Sequence, residues 1–376
     1  MTGSSTDNEL GWPGARSVQA APLGWPDAQE FDGGPRESHQ PHQPQATHEA
    51  GQDVSRETTA TTSAEGLTAL DMPLEQLVSR ETSRLADELP PEPGPVATPP
   101  VEPQSWPLPA QRHLFIIANQ KGGVGKTTST VNLAAALAQH GARVLVVDLD
   151  PQGNASTAFG VEHRAGTPSV YDVLVHARPL ADVIVSAPDV PNLDCAPATI
   201  DLAGAEIELV SLVARESRLR KALDALAADS PTAYDYVFVD CPPSLGLLTV
   251  NALVAGREVL IPIQCEFYAL EGLSQLLRNI ELVRAHLNPD LHVSTILLTM
   301  YDARTRLAEQ VAAEVRNHFG ELVLAATIPR SVRISEAPGY GQSVMTYDPV
   351  SRGALAYGAA AREIAERASR FEEGAT

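Results

Sequence analysis

Lysine is missing from the first 110 residues, and large apolar side chains are thin there. The same stretch holds 16 of the chain's 30 prolines and 17 acidic against 5 basic residues, which is −12 of the net −20. Such a segment buries too little apolar surface to offset an ordering cost of about 1–2 kcal/mol per residue, so residues 1–110 are expected to form a disordered, acidic, proline-rich tail. No basic-then-apolar leader opens the chain, and no apolar stretch nears the ~20 residues of a membrane helix. A cytoplasmic protein is expected. Cysteine is sparse: Cys195, Cys241 and Cys265 lie far apart with no C-x-x-C or Cys/His spacing, which excludes a zinc or iron–sulfur motif and leaves them as small buried hydrophobes. Excess positive charge is missing too, the reverse of a usual nucleic-acid footprint, so any contact with nucleic acid must be local. The least acidic part is 278–370, with 11 basic and 10 acidic residues, against 11 and 18 in 111–277.

What the chain does have is concentrated in residues 113–128, HLFIIANQKGGVGKTT. Leu114 to Ala118 is an apolar run of strand length. Gly122, Gly123 and Gly125 then let backbone N–H groups converge on phosphate oxygens at a helix N-terminus. In this reading Gly122, Gly123, Val124, Gly125, Lys126, Thr127 and Thr128 form the nucleotide-binding loop, with Lys126 on the β- and γ-phosphates and Thr127 on Mg²⁺. The strict pattern asks for glycine six residues before that lysine, but Gln120 stands there, and a second lysine, Lys121, precedes the glycines.

Farther on, Lys126 to Gln139 reads as a buried helix and Arg143 to Leu149 as a strand. Asp148 and Asp150 stand at its carboxyl end, where open α/β sheets place ligands. A short strand is expected at 192–196, a helix over 203–228 that carries Arg215, Arg218, Arg220 and Lys221 on a solvated face, and a strand at 234–239 ending in Asp240. Strands at 258–264, 293–299 and 322–328 alternate with helices at 269–287 and 303–319. This alternation predicts an α/β fold, a doubly wound, mostly parallel sheet with helices on both faces, in one domain over 111–376.

KGGVGKTT resembles the deviant Walker A motif of the ParA/MinD group of P-loop ATPases. VDLDPQGNAS, ATIDLAGAEIEL, DCPPSLGLLTVNAL, LLTMYDART and IPRSVRISEAPGYG resemble the blocks of its chromosomal ParA/Soj branch. The resemblance covers Leu114 to about Arg367. It implies a slow, partner-stimulated ATPase using ATP and Mg²⁺, in which Lys121 reaches the nucleotide of a second subunit, Asp150 positions the attacking water and Asp240 holds a Mg²⁺-bound water. Catalysis then rests on Lys121, Lys126 and Asp150, the metal on Thr127, Asp150 and Asp240, and the adenine on Met300 and Pro329. Arg304 and Arg333 are implied to bind DNA without sequence preference, within a patch that Arg306, Arg316 and Arg330 could join. The implied biology is origin partition by an ATP-dependent homodimer on nucleoid DNA, released when a ParB-type centromere-binding protein stimulates hydrolysis. The related MinD ATPases end in a basic amphipathic membrane helix, whereas this chain ends RFEEGAT, so no membrane contact is expected. A metabolic P-loop enzyme would need a small-substrate pocket or paired cluster cysteines, and neither shows in the sequence.

Within the tail, residues 66–89 carry leucines at loosely helical spacing, a short helix suited to a polar scaffold partner, and 90–109 form an extended spacer. Val54-Ser55-Arg56-Glu57-Thr58 recurs as Val78-Ser79-Arg80-Glu81-Thr82. This pentapeptide back-translates to GTTTCACGTGAAACA, which contains a palindrome resembling the parS sites bound by ParB-type proteins. An unpacked tail tolerates whatever residues a DNA site dictates. The gene is expected to carry the palindrome at both repeats, and codons that break it at either copy remove the idea there.

Overall fold

The computed structural model describes residues 106–230, 234–266 and 269–373. The expected helix at 66–89 and both pentapeptide repeats lie outside them. The described chain opens at Trp106, whose indole stacks on the His140 ring at 3.5 Å, so the residues just before the first strand already pack on the domain.

The elements follow in order as β1 (His113–Ile117), α1 (Lys126–Gln139), β2 (Val144–Asp148), α2 (Asn154–Ala158), α3 (Val170–His176), β3 (Val185–Ser186), β4 (Leu193–Ala196), α4 (Leu202–Val210), α5 (Arg218–Asp229), β5 (Tyr236–Asp240) and α6 (Leu247–Ala255). Then come β6 (Glu258–Gln264), α7 (Ala269–His286), β7 (His292–Tyr301), α8 (Arg306–Phe319), β8 (Val323–Pro329), α9 (Val332–Glu336), α10 (Val344–Tyr347) and α11 (Arg352–Glu373). The eight strands form one sheet ordered β3-β4-β2-β5-β1-β6-β7-β8. Every pairing is parallel except β3 against β4.

Period-two alternation divides each central strand between two cores. Leu114 and Ile116 of β1 join Val237 and Val239 of β5 under α3 to α8. Phe115 and Ile117 join Tyr236 and Phe238 on the opposite face, beneath α1 and α11. Burial on both faces explains why these strands read as continuous apolar runs. It also explains α1, whose alanines and leucines lie pressed between the sheet and α11. Ala360, Ala361, Ile364, Ala365 and Ala368 of α11 are buried in that contact, so its apolar face is already occupied within the domain.

The expected single helix over 203–228 is in fact two. Ala214 adopts a left-handed φ of 55°, and Arg215 Nη1 donates to the Val210 carbonyl that the first helix leaves free. The second helix starts because Asn251 Oδ1, from α6, accepts from the backbone N–H groups of Arg218 and Leu219 at 3.1 and 3.3 Å. A cap supplied by another helix leaves no local sequence signal. Arg218 also departs from the expected solvated face, since its Nη1 donates to the Leu174 and Val175 carbonyls near the end of α3.

The turn from α6 into β6 is close to the strand that leads into the glycine loop. A Cβ on Gly256 would collide with Ile116 Cγ1, and Ile116 is fully buried. Gly256→Ala is therefore expected to lower unfolding free energy by about 1–3 kcal/mol through overpacking, read from urea titration. An unchanged midpoint would mean that Ile116 moves aside freely.

Candidate nucleotide site

Adjacent β1, β5 and β2 deliver the site's residues to one end of the sheet. Asp240 is in register with Ile117 on one side and with Asp148 on the other, so the glycine loop and both acidic segments emerge side by side. The loop is pinned at its entrance: Asn119 Nδ2 donates to the Pro262 carbonyl at 2.8 Å, and Asn119 Oδ1 accepts from Lys121 N at 3.0 Å. Gly123 and Gly125 have φ of 75° and 89°, a region that other residues enter at a cost. Gly125 caps α1 with no side-chain bond, and the first turn of α1 has no acidic residue. Its leading N–H groups are thus left to an external anion.

Lys126 is buried at 7 % exposure, with its ammonium 3.4 Å from the Lys121 carbonyl oxygen. Burial lowers its pKa, and Asp240, Cys241 and Asp150 pull the other way. Asp148, Asp150 and Asp240 are buried as well, and Asp150 and Asp240 lie within electrostatic reach of the Lys126 ammonium. Asp148 is committed to local structure: it accepts from Ser156 N, Ser156 Oγ and Asp150 N at 2.9, 2.8 and 3.1 Å. Among the described residues Asp150 accepts through its side chain from Gln152 N alone, at 3.0 Å. Asp240 Oδ1 accepts from Thr130 Oγ1 at 3.1 Å, while its Oδ2 is buried with no hydrogen-bond partner among the described residues. Burial first, then the neighbouring Asp148 carboxylate, pushes Asp240 up to about 8, against the pull of the Thr127 and Thr130 hydroxyls. Burial likewise raises Asp148 to about 6, despite the Ser156 hydrogen bonds.

An orphaned carboxylate oxygen in a cluster short of positive charge is a place for a cation. Among the described residues no group of three His, Cys, Asp or Glu side chains could cage one. The arrangement suits an ion that keeps most of its shell as water and phosphate oxygens, the habit of Mg²⁺, with Thr127 and Asp240 at its edge.

Lys121 stands outside this nest. Its side chain is 38 % exposed and its Nζ lies 2.9 Å from Glu266 Oε2, where Gln264 Nε2 also bonds the carboxylate and Arg330 approaches at 4.0 Å. Val124 is buried, and its carbonyl accepts from Thr299 Oγ1. Met300 follows Thr299, and Tyr301 pairs in register with Pro329, which brings the expected base-binding pair to neighbouring strand ends. Gly122 is exposed with nothing within 4 Å of the position a Cβ would take, leaving the outer lip of the loop bare.

The chain matches the family model described as "AAA domain" over residues 113–293. It is 55% identical over 252 residues to the sporulation initiation inhibitor protein Soj of Bacillus subtilis, covering 67% of this chain and 98% of that protein. It is 53% identical over 254 residues to the chromosome partitioning protein ParA of Caulobacter vibrioides, covering 68% and 94%. The chain belongs to the ParA/Soj family of partition ATPases. Among solved structures it resembles the cobyrinic acid a,c-diamide synthase of Mycobacterium smegmatis with bound ADP and magnesium, at 40% identity and a TM-score of 0.57, over 68% of this chain and 93% of that one. As a ParA/Soj member this is a P-loop ATPase that uses ATP and Mg²⁺.

The arginines named for DNA are exposed and each pairs with a carboxylate. Arg304 is 89 % exposed and forks onto Asp302, Nε to Oδ1 at 2.9 Å and Nη2 to Oδ2 at 2.8 Å, which holds Asp302 down at about 2. Arg333 bonds Glu336 at 3.0 Å and approaches Asp348 at 3.4 Å. Arg330 lies near enough to Asp302 to share its field. Arg316 lines a hollow of about 690 Å³ with Arg367 and Arg370, a lining that includes none of the other four arginines expected in the patch. Cys195, Cys241 and Cys265 are all buried and free, each with its thiol pKa raised by burial, in keeping with small core hydrophobes. Asn119 and Thr299 were not singled out from sequence, because each works by a bond to a distant carbonyl or a loop it does not belong to.

The folded chain binds the Asp240 proton more tightly than the unfolded chain. The stability this confers is complete below about pH 4 and is lost as pH rises through about 8. Asp240→Asn is neutral throughout and escapes the loss. In nucleotide-free, Mg²⁺-free protein, the melting-temperature advantage of Asp240→Asn over wild type should grow between about pH 5 and about pH 8, and a constant difference would contradict the charge assignment.

Proposed function

We propose that ATP and Mg²⁺ drive two copies of this chain into a nucleotide-sandwich dimer that holds nucleoid DNA without sequence preference, and that hydrolysis stimulated by a ParB-type protein releases it during origin partition. The observation that carries this reading is the position of Lys121. One lysine, Lys126, serves the loop from within, and the second points its ammonium away from its own nest toward Glu266. A half-exposed ion pair of this kind is worth about 0–1 kcal/mol, so Lys121 is readily released to a phosphate on a second subunit. Within this reading Asp150, with a carboxylate oxygen uncommitted to the loop, orients the attacking water. Thr127 and Asp240 serve the metal, and Met300 and Pro329 flank the adenine. Arg304 and Arg333 exchange their carboxylates for DNA phosphates, because both guanidiniums are exposed and surface ion pairs are cheaply replaced.

The domain from about residue 111 carries all of these parts, and the tail is left for a scaffold partner. Cytoplasmic, nucleoid-associated placement follows from the same reading. The alternative of a membrane-positioning ATPase has less support: no described helix is long and apolar enough to cross a membrane, and the apolar face of α11 is spent on the core.

Three variants separate the roles. Lys126→Ala should weaken ATP binding by about 10- to 100-fold, the loss of a charged hydrogen bond. Asp150→Ala should keep ATP affinity while turnover falls by about 10²- to 10⁴-fold. Lys121→Ala should bind ATP yet stay monomeric on size-exclusion chromatography, whereas Asp150→Ala accumulates as dimer. An ATP-dependent dimer of Lys121→Ala protein would remove the cross-subunit role.

A further inference from the structure

The end of β7 departs from regular strand geometry where it passes the glycine loop. Its pairing with β8 slips between Leu298 and Tyr301, and Met300 takes a φ of 50°, a conformation that bulky side chains rarely adopt. Irregularities of this kind re-aim the side chains beside them. Here the neighbour is Thr299, 2 % exposed, whose Oγ1 donates to the Val124 carbonyl at 2.8 Å. Its Cγ2 and Cβ stand 3.8 and 3.9 Å from the place that a Cβ on Gly125 would occupy. The Thr299 backbone is itself fixed, in register with Gln264 and accepting from Cys265 N at 3.3 Å.

A loop that cradles phosphate works only while its N–H groups face the anion and its carbonyls face away. The peptide between Val124 and Gly125 is the weak point, because Gly125 at φ 89° carries no side chain to resist rotation. Were that peptide to turn over, the Val124 oxygen would point its negative end at the phosphates. A buried hydroxyl bonded to this oxygen from outside the loop opposes the turn, and the fixed end of β7 keeps the hydroxyl in place.

We propose that Thr299 is a positioning residue for the nucleotide phosphates, holding the Val124 carbonyl outward so that the loop presents its N–H groups before the ligand arrives. This rests on the reading of residues 121–128 as the phosphate loop. The hydroxyl touches no reacting atom, so its loss affects binding and leaves the chemical step alone.

The test uses the full chain, with Mg-ADP affinity by calorimetry and steady-state ATPase. Thr299→Val, nearly the same shape without the hydroxyl, should weaken ADP binding and raise KM for ATP by about tenfold, with kcat at saturating ATP within about twofold of wild type. Thr299→Ser should restore both to within about twofold. Wild-type ADP affinity in Thr299→Val would overturn the proposal, as would a lost kcat with unchanged KM. If Thr299→Val does not fold, Thr299→Ala and Thr299→Ser differ only in the hydroxyl, and equal ADP affinities would overturn the proposal in the same way. Lys126→Ala is the control for the underlying reading. Loss of ADP binding there beside an intact Thr299→Val removes the positioning role alone, whereas full binding by Lys126→Ala removes the loop assignment with it.

Discussion

Two aspartates that stand opposite each other on neighbouring strands, both out of reach of water, set the terms for the rest of the nucleotide end. Asp148 and Asp240 are in register on β2 and β5. Buried like charges at that spacing are tolerable only if one is saturated by donors and the other is protonated or supplied with a cation. The chain does the first for Asp148, through three hydrogen bonds that also shape the turn carrying Asp150. Asp240, whose Oδ2 has no hydrogen-bond partner among the described residues, meets the second by keeping its proton until a cation takes its place. The buried Lys126 supplies part of the missing positive charge, and Mg²⁺ with its nucleotide is the natural source of the remainder. A site that is electrostatically incomplete without its ligand is also one whose surroundings respond when the ligand arrives.

The same logic extends outward in weaker form. Lys121, Arg304 and Arg333 are exposed cations, each resting on a carboxylate of the same chain: Glu266, Asp302, and Glu336 with Asp348. Exposed pairs contribute little to stability, so they neutralise the surface without committing it. In the proposed reading a chain of net charge −20 meets DNA, and it gains from this because its few positive groups stay local and exchangeable.

Much of this was legible in the residues alone. The central strands announced themselves as apolar runs because both faces of the sheet are covered, and Lys126 to Gln139 matched its helix end to end because the glycine loop starts it. The placement of the glycine loop, Asp150 and Asp240 at the carboxyl ends of strands was readable because each follows an apolar run. What escaped depends on partners far along the chain. Asn251 starts α5 from another helix, Asn119 and Thr299 brace the loop through carbonyl groups, and Asp148 gave no sign that its oxygens are occupied. The place of Arg316 was equally hidden, since it shares α8 with Arg306 yet lines a hollow with Arg367 and Arg370 of α11.

In the proposed reading, nucleotide state governs whether this chain holds DNA. The most direct measurement is equilibrium binding of the full chain to a random-sequence duplex, followed by fluorescence anisotropy with Mg-ATP, with Mg-ADP and without nucleotide, across a series of salt concentrations. Retention with Mg-ATP alone, falling steeply as salt rises and indifferent to duplex sequence, is the predicted result. Equal binding in all three nucleotide states, or a preference for one short site over random DNA, would contradict it.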